Sequence, residues 1–237
     1  MNNNIKRQSL FWFFTEGVRA LIEYVQSWFF LRNNAVTQKG DGHPVLVVPG
    51  LLCTDFSTRV LRRFINRLGF TALGWELGRN LGDLTDLRDL NRLNERVDAI
   101  YKQYNTKITL VGWSMGGIYV REIAKQRPEL FHQVITMSSP FSNVDAPNNA
   151  KWIYERLTDT SSIDAAWKQQ IPNPAPIPTT AIYTKQDGIV PWEACLEQIV
   201  DHTHQNIEVR GSHWGLGMNT SVLQIVQERL TLKISRT

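Results

Sequence analysis

A serine hydroxyl becomes an effective nucleophile only beside a base, and the base needs a group to orient it. The chain presents a serine for that role in Lys107–Gly117, which reads KITLVGWSMGG. Ile108, Leu110 and Val111 form a short apolar run of the kind buried on both faces of a parallel sheet, and Ile118–Gln126 reads as a helix. Between them, Gly112-Trp113-Ser114-Met115-Gly116 fits the Gly-x-Ser-x-Gly turn that lifts a serine above a sheet edge. The free N–H groups of the new helix point at the same space. Ser114 is the expected nucleophile; the pentapeptide without its flanking strand and helix would carry little weight.

Five histidines compete for the role of base: His43, His132, His202, His204 and His213. In a parallel sheet, groups that meet at a site come from the carboxyl ends of the strands. His43 precedes a strand and His132 begins one, while His202 and His204 come before the last strand. His213 alone follows a strand, in Gly211-Ser212-His213-Trp214-Gly215, and is the candidate general base. The plain alternative is a hydrogen-bonded structural histidine. The same rule selects Asp187, in the loop after the strand Thr179–Thr184, as the orienting acid. Asp145, inside an irregular region, is a second candidate, and a third option is that neither serves.

Acyl transfer also needs two donors for the developing oxyanion. The N–H of Met115 is placed by the serine turn itself. The N–H of Leu51, in the loop Pro49-Gly50-Leu51 after the first strand, is the second candidate, unless that segment is only a turn. Trp113 and Trp214 are candidates for an apolar substrate surface, with plain packing as the alternative. Arg79 and Asn80, in a glycine-punctuated loop, are candidates for a polar head group, with an ordinary surface arginine as the alternative. His202-Thr203-His204 with Asp201 lacks a third ligand group, so no metal is expected.

The elements that must position these residues alternate. Strands are expected at Val45–Val48, Phe70–Trp75, the run before Ser114, Gln133–Met137, Thr179–Thr184 and Asn206–Arg210. Helices are expected at Ser57–Leu68, Leu84–Tyr104, Ile118–Gln126, Trp192–Val200 and Ser221–Leu230. Such alternation implies an α/β fold, a mostly parallel sheet with helices on both faces. The stretch 141–178 breaks the rhythm: it is rich in Asn, Pro and Ser, with short helical pieces around Trp152–Leu157 and Ile163–Gln169, and reads as an active-site cover. At 237 residues, 42% apolar and 20% charged, the chain fits one domain over 41–237, preceded by a leader over 1–40. A net charge of +4 without a block of like charges gives no reason to expect nucleic-acid binding. Cys53 and Cys195 read as reduced core thiols.

The leader opens like a signal peptide, but Glu16, Arg19 and Glu23 interrupt its apolar run and no small-residue cleavage site follows. Central charges, at roughly 2.5–3.5 kcal/mol each, also argue against a membrane span. An amphipathic helix fits better, with Glu16, Arg19, Glu23 and Gln26 in one stripe and Phe14, Val18, Leu21, Val25 and Trp28 in another. Two placements stay open: packed on its own domain, or lying in a membrane interface.

From His43 onward the chain resembles α/β-hydrolases of the bacterial lipase and esterase type. The resemblance rests on VVPGLL, GWSMGG, the Ser-Ser-Pro after the next strand, QDGIVPW and GSHWGLG. It implies hydrolysis through an acyl-enzyme, with Ser114, Asp187 and His213 as triad and no cofactor. The chain departs from the family in having Pro49-Gly50 where many members have His-Gly, and in lacking two leading antiparallel strands. The expected function is cleavage of a small-molecule or lipid ester with an apolar acyl group, in the cytoplasm, with peripheral membrane contact through the leader helix as an added option. Acyltransferases, thioesterases and amidases share the triad. The contrasting expectation is a membrane-surface lipid-binding protein that kept the fold and lost the chemistry.

Overall fold

Pro44–Val48 (β1) is buried along its whole length, because an apolar five-residue strand between two neighbours must cover both faces. Around it, Thr71–Gly74 (β2), Ile108–Trp113 (β3), Phe131–Met137 (β4), Thr179–Tyr183 (β5) and His204–Glu208 (β6) form a six-stranded sheet in the order β2-β1-β3-β4-β5-β6. Every pairing is parallel. The structure is a computed structural model and describes residues 5–33, 40–82, 88–149 and 165–232.

The period of two along the strands divides the core into two layers. Leu46, Val48, Leu110 and Val134 face a cluster that includes Leu93 and Val97 of Arg88–Tyr104 (α2) and Val120 and Ile123 of Met115–Gln126 (α3). Val45, Val47, Val111 and Ile135 face the opposite cluster, with Leu61, Phe64 and Ile65 of Arg59–Arg67 (α4) and Val222, Leu223 and Val226 of Thr220–Thr231 (α5).

One expected helix is absent. Trp192–Val200 forms only a 3-10 turn, Trp192–Cys195, after which Leu196 is extended. The reason is tertiary. The Glu197 carboxylate is drawn into a buried ion pair with Arg121, and its N–H donates to Asn206 Oδ1 at 2.8 Å. The last strand begins at His204, two residues before the expected start. In the stretch 141–178, a short helix spans Ala165–Gln170 (α6), and the piece expected at Trp152–Leu157 lies outside the described residues.

The leader forms a 24-residue helix, Leu10–Asn33 (α7). It lies against α5 and against the 3-10 turn Leu216–Met218. Of its expected polar stripe, Glu16 and Glu23 face inward, Arg19 is partly buried and Gln26 is exposed. Glu16, Glu23 and Ser27 are buried, whereas Phe14, Val18, Leu21, Val25 and Trp28 are exposed. Only its flanks are partly covered by apolar packing: Phe30 and Leu31 against the second core layer, and Phe13 against Ile189 and Val190.

Candidate active site

Ser114 stands between β3 and α3 with φ +53° and ψ −123°, outside the regions favoured by L-residues. Such a turn holds only where strand and helix nearly touch. A Cβ at Gly112 would lie 2.5 Å from the Gly117 Cα and 2.6 Å from its nitrogen, so only glycine fits. The Ser114 N–H donates to the Met137 carbonyl at 2.8 Å, which ties the turn to β4.

The expected acid and base meet. His213 Nδ1 and Asp187 Oδ2 lie 2.7 Å apart, and both residues are buried. The other Asp187 oxygen, Oδ1, accepts from the N–H groups of Ile189 and Val190, each at 2.8 Å. One oxygen is thereby left for the histidine. With Nδ1 engaged, Nε2 is the ring nitrogen left for proton transfer. Trp113, the neighbour of Ser114, donates its indole N–H to the His213 carbonyl at 3.1 Å, so the serine turn and the histidine loop share one corner of the sheet. Burial disfavours the imidazolium, but the carboxylates of Asp187 and Glu16 outweigh it and raise the His213 pKa above the ordinary value.

Asp145 is elsewhere, paired with Lys168 at 3.1 Å near the surface. His43 and His132 meet edge to face at the amino end of the sheet, and His43 bonds Asp41 and Thr109. His204 Nε2 bonds the Ala175 carbonyl, and the Asp201 carboxylate accepts from Thr203 and His204 in its own loop.

The Pro49–Cys53 turn sits over the nucleophile: a Cβ at Gly50 would lie 3.1 Å from the Ser114 Cβ and 3.8 Å from its Oγ. Among the described residues the Leu51 N–H has no acceptor. The Met115 N–H opens α3 and by position has no intrahelical one. Asn80 is fully buried and holds this turn. Its Nδ2 donates to the Pro49 carbonyl at 2.8 Å, and its own carbonyl accepts from Leu52 at 2.6 Å. Arg79 is exposed and donates to the Leu52 carbonyl. Trp113 is buried, whereas Trp214 stands half out at the rim.

A second set of groups comes from α7. Glu16 Oε1 accepts from the Gly188 N–H at 2.9 Å and the His213 N–H at 3.1 Å, and Oε2 from the Trp214 N–H at 3.0 Å. Arg19 pairs with Glu16 at 2.7 Å and donates to the Gly211 carbonyl at 3.0 Å. Glu23 accepts from the Ser212 N–H at 3.0 Å, the Ser212 hydroxyl at 2.5 Å and Asn219 Nδ2 at 2.8 Å. One carboxylate thus bridges the acid loop and the histidine loop, and a second fixes the base of the histidine loop.

Known proteins share this architecture. The family model "Putative esterase" matches residues 88–187, a stretch that contains Ser114 and Asp187. The chain is 26% identical over 147 residues to the human protein named serine hydrolase BPHL; the match covers 58% of this chain and 47% of that protein, about half its length. The structure of Bacillus licheniformis lipase BlEst2 in its mature form superposes with a TM-score of 0.63 at 15% identity, over 84% of this chain and 96% of that one. Paleococcus ferrophilus monoacylglycerol lipase superposes with a TM-score of 0.57 at 15% identity, over 81% and 95%. The chain has the α/β-hydrolase fold.

Within this fold, sequence reasoning missed the inward contacts of Glu16, Arg19 and Glu23. A signal for them exists. Three charges at helical spacing interrupt an otherwise aromatic and aliphatic helix, and the loops they meet contain Gly188, Gly211 and Gly215. At Gly188 a Cβ would lie 2.6 Å from the Phe13 nitrogen and the Trp12 carbonyl, so α7 reaches the acid loop because that position is bare.

Proposed function

We propose that this α/β-hydrolase is a serine esterase that cleaves carboxylic esters with apolar acyl groups through an acyl-enzyme. Ser114 Oγ attacks the ester carbonyl while His213 Nε2 takes its proton, and Asp187 orients the imidazole and stabilises its cation. The N–H groups of Leu51 and Met115 receive the developing oxyanion. His213 then gives its proton to the departing alkoxide, and a water activated by the same nitrogen releases the acid. Trp113 holds His213 through its carbonyl and Asn80 holds the oxyanion turn, so both act by positioning. Trp214 and the cover supply apolar surface, and Arg79 is the exposed cation beside the turn. The ester pool in this reading is lipid-like.

The observation that carries the reading is the buried His213–Asp187 pair beside a serine held at φ +53°. Its test is turnover of a short-chain nitrophenyl ester together with labelling by a fluorophosphonate. Ser114→Ala should abolish labelling and lower turnover at least about a thousandfold. Equal turnover by the variant overturns the mechanism, and a folded wild-type protein that resists the label is a lipid-binding protein without this chemistry. The hydrolase and acyltransferase readings share every step up to the acyl-enzyme and differ in whether water or another acceptor releases the acyl group, so a panel of acceptors separates them.

A further inference from the structure

α7 carries its amphipathicity inside out. Phe11, Phe14, Val18, Leu21, Val25 and Trp28 form one seam with its side chains in solvent, between 46% and 77% exposed. Helices of globular domains ordinarily turn such a stripe to the core. Rotating α7 to bury it would tear Glu16 and Glu23 from their donors and leave buried carboxylates and N–H groups unpaired. The outward seam is therefore the arrangement that the inner face imposes.

We propose that this seam docks the protein on an anionic lipid bilayer, with α7 lying parallel to the surface. Charge selects the occupant. The acidic residues of α7 are Glu16 and Glu23, and both are buried, so its outer face carries no negative charge. Exposed cations flank it, Lys6 and Arg7 before the helix and Arg32 at its last turn, and Arg32 lies over the Trp28 ring at 5.5 Å. Apolar, aromatic and cationic groups in that order are what a headgroup–acyl boundary accepts. The seam is a convex rod of about 36 Å at 1.5 Å per residue, a shape suited to a fluid plane. No helix among the described residues is long and apolar enough to cross a membrane, which agrees with a helix that lies on one.

Position links the seam to the site. Trp214 follows His213, stands 51% exposed and reaches within 3.9 Å of where a Cβ at Gly17 would lie. Docking sets this rim at the lipid surface, where an ester in the bilayer meets Ser114 without crossing bulk water. That last step rests on the esterase reading; the docking does not.

The test is co-sedimentation of the full chain with vesicles of phosphatidylcholine containing three parts in ten phosphatidylglycerol, and with phosphatidylcholine alone, for wild type and a Phe14→Asp/Leu21→Asp variant. Both positions are exposed and outside the catalytic loops, so turnover of a water-soluble ester should stay within about twofold. The wild type should bind anionic vesicles at least tenfold more strongly than the variant and more strongly than neutral vesicles, and its hydrolysis of a vesicle-borne ester should fall in step in the variant. Equal sedimentation of the two proteins, or none of the wild type, overturns the docking. A wild-type dimer that the variant converts to monomer, without vesicle binding, assigns the seam to a second copy and overturns it as well. Vesicle binding with no ester hydrolysed in either phase leaves the docking standing and removes the esterase reading instead.

Discussion

His213 is buried and faces two carboxylates, Asp187 at 2.7 Å through its ring and Glu16 through its backbone N–H, with Arg19 paired to the latter. Its raised pKa has two consequences of defined sign. The general base must be neutral, so kcat/KM should climb with pH through a midpoint above the ordinary histidine value of about 6.5. The imidazolium is favoured in the folded state, so its stabilising contribution is complete below the unfolded value and is lost as pH rises through the folded one. Glu16→Gln keeps the shape but removes a charge, and the acidic limb of the pH–rate profile should move to lower pH. A Glu16 that acts only as a brace would lower the rate at every pH and leave the limb in place. The strained turn at Ser114 and the meeting of His213 with Asp187 were legible because each residue sits in a short motif at a strand end. Glu16 was not, since the donors it meets lie 172–198 residues away, beyond any local pattern.

At the scale of the element, α7 shows what periodicity conveys and what it leaves out. The two stripes were readable from spacing, but spacing does not say which one turns inward. That choice lies with the glycines and N–H groups of loops far along the chain. Gly188→Ala tests the contact from the loop side. The added methyl meets Trp12 and Phe13 backbone at 2.6 Å, atoms that cannot swing aside as a side chain would. Stability should fall by about 1–3 kcal/mol, the usual range for overpacking, read from urea denaturation. Because the Gly188 N–H also donates to Glu16, ester turnover should drop in the same variant. The segment Trp192–Val200 carries the complementary lesson. Its helical pattern was plain, yet the Arg121–Glu197 ion pair and the Asn206 bonds hold its second half out of a helix.

Across the whole molecule, the six strands and their parallel pairing were legible because apolar runs alternate with amphipathic helices, a rhythm that few architectures accept. The joints between layers were not. Arg121, fully buried on α3, pairs with Glu197, donates to the Asn173 carbonyl at 3.1 Å and stacks over Phe141 at 3.7 Å, so one residue ties the helix after Ser114 to both ends of the stretch 141–178 and to the last crossover. Arg121→Met strands a buried carboxylate and should destabilise by about 3–5 kcal/mol. Arg121→Met with Glu197→Leu should recover most of that loss, as measured by chemical denaturation.

The Glu16 and Glu23 clamp also orders events in time. α7 is synthesised before the sheet, while the loops that satisfy its carboxylates, at 188 and 211–219, lie 172–198 residues further along the chain. Closing so long a span costs entropy that local contacts do not repay, so the clamp is a late event in folding. Before residue 211 is present, Glu16 has only the Gly188 N–H of its loop donors and Glu23 has neither Ser212 nor Asn219. Completion of the histidine loop and docking of the leader thus depend on each other, and His213 and its inner brace come into place together.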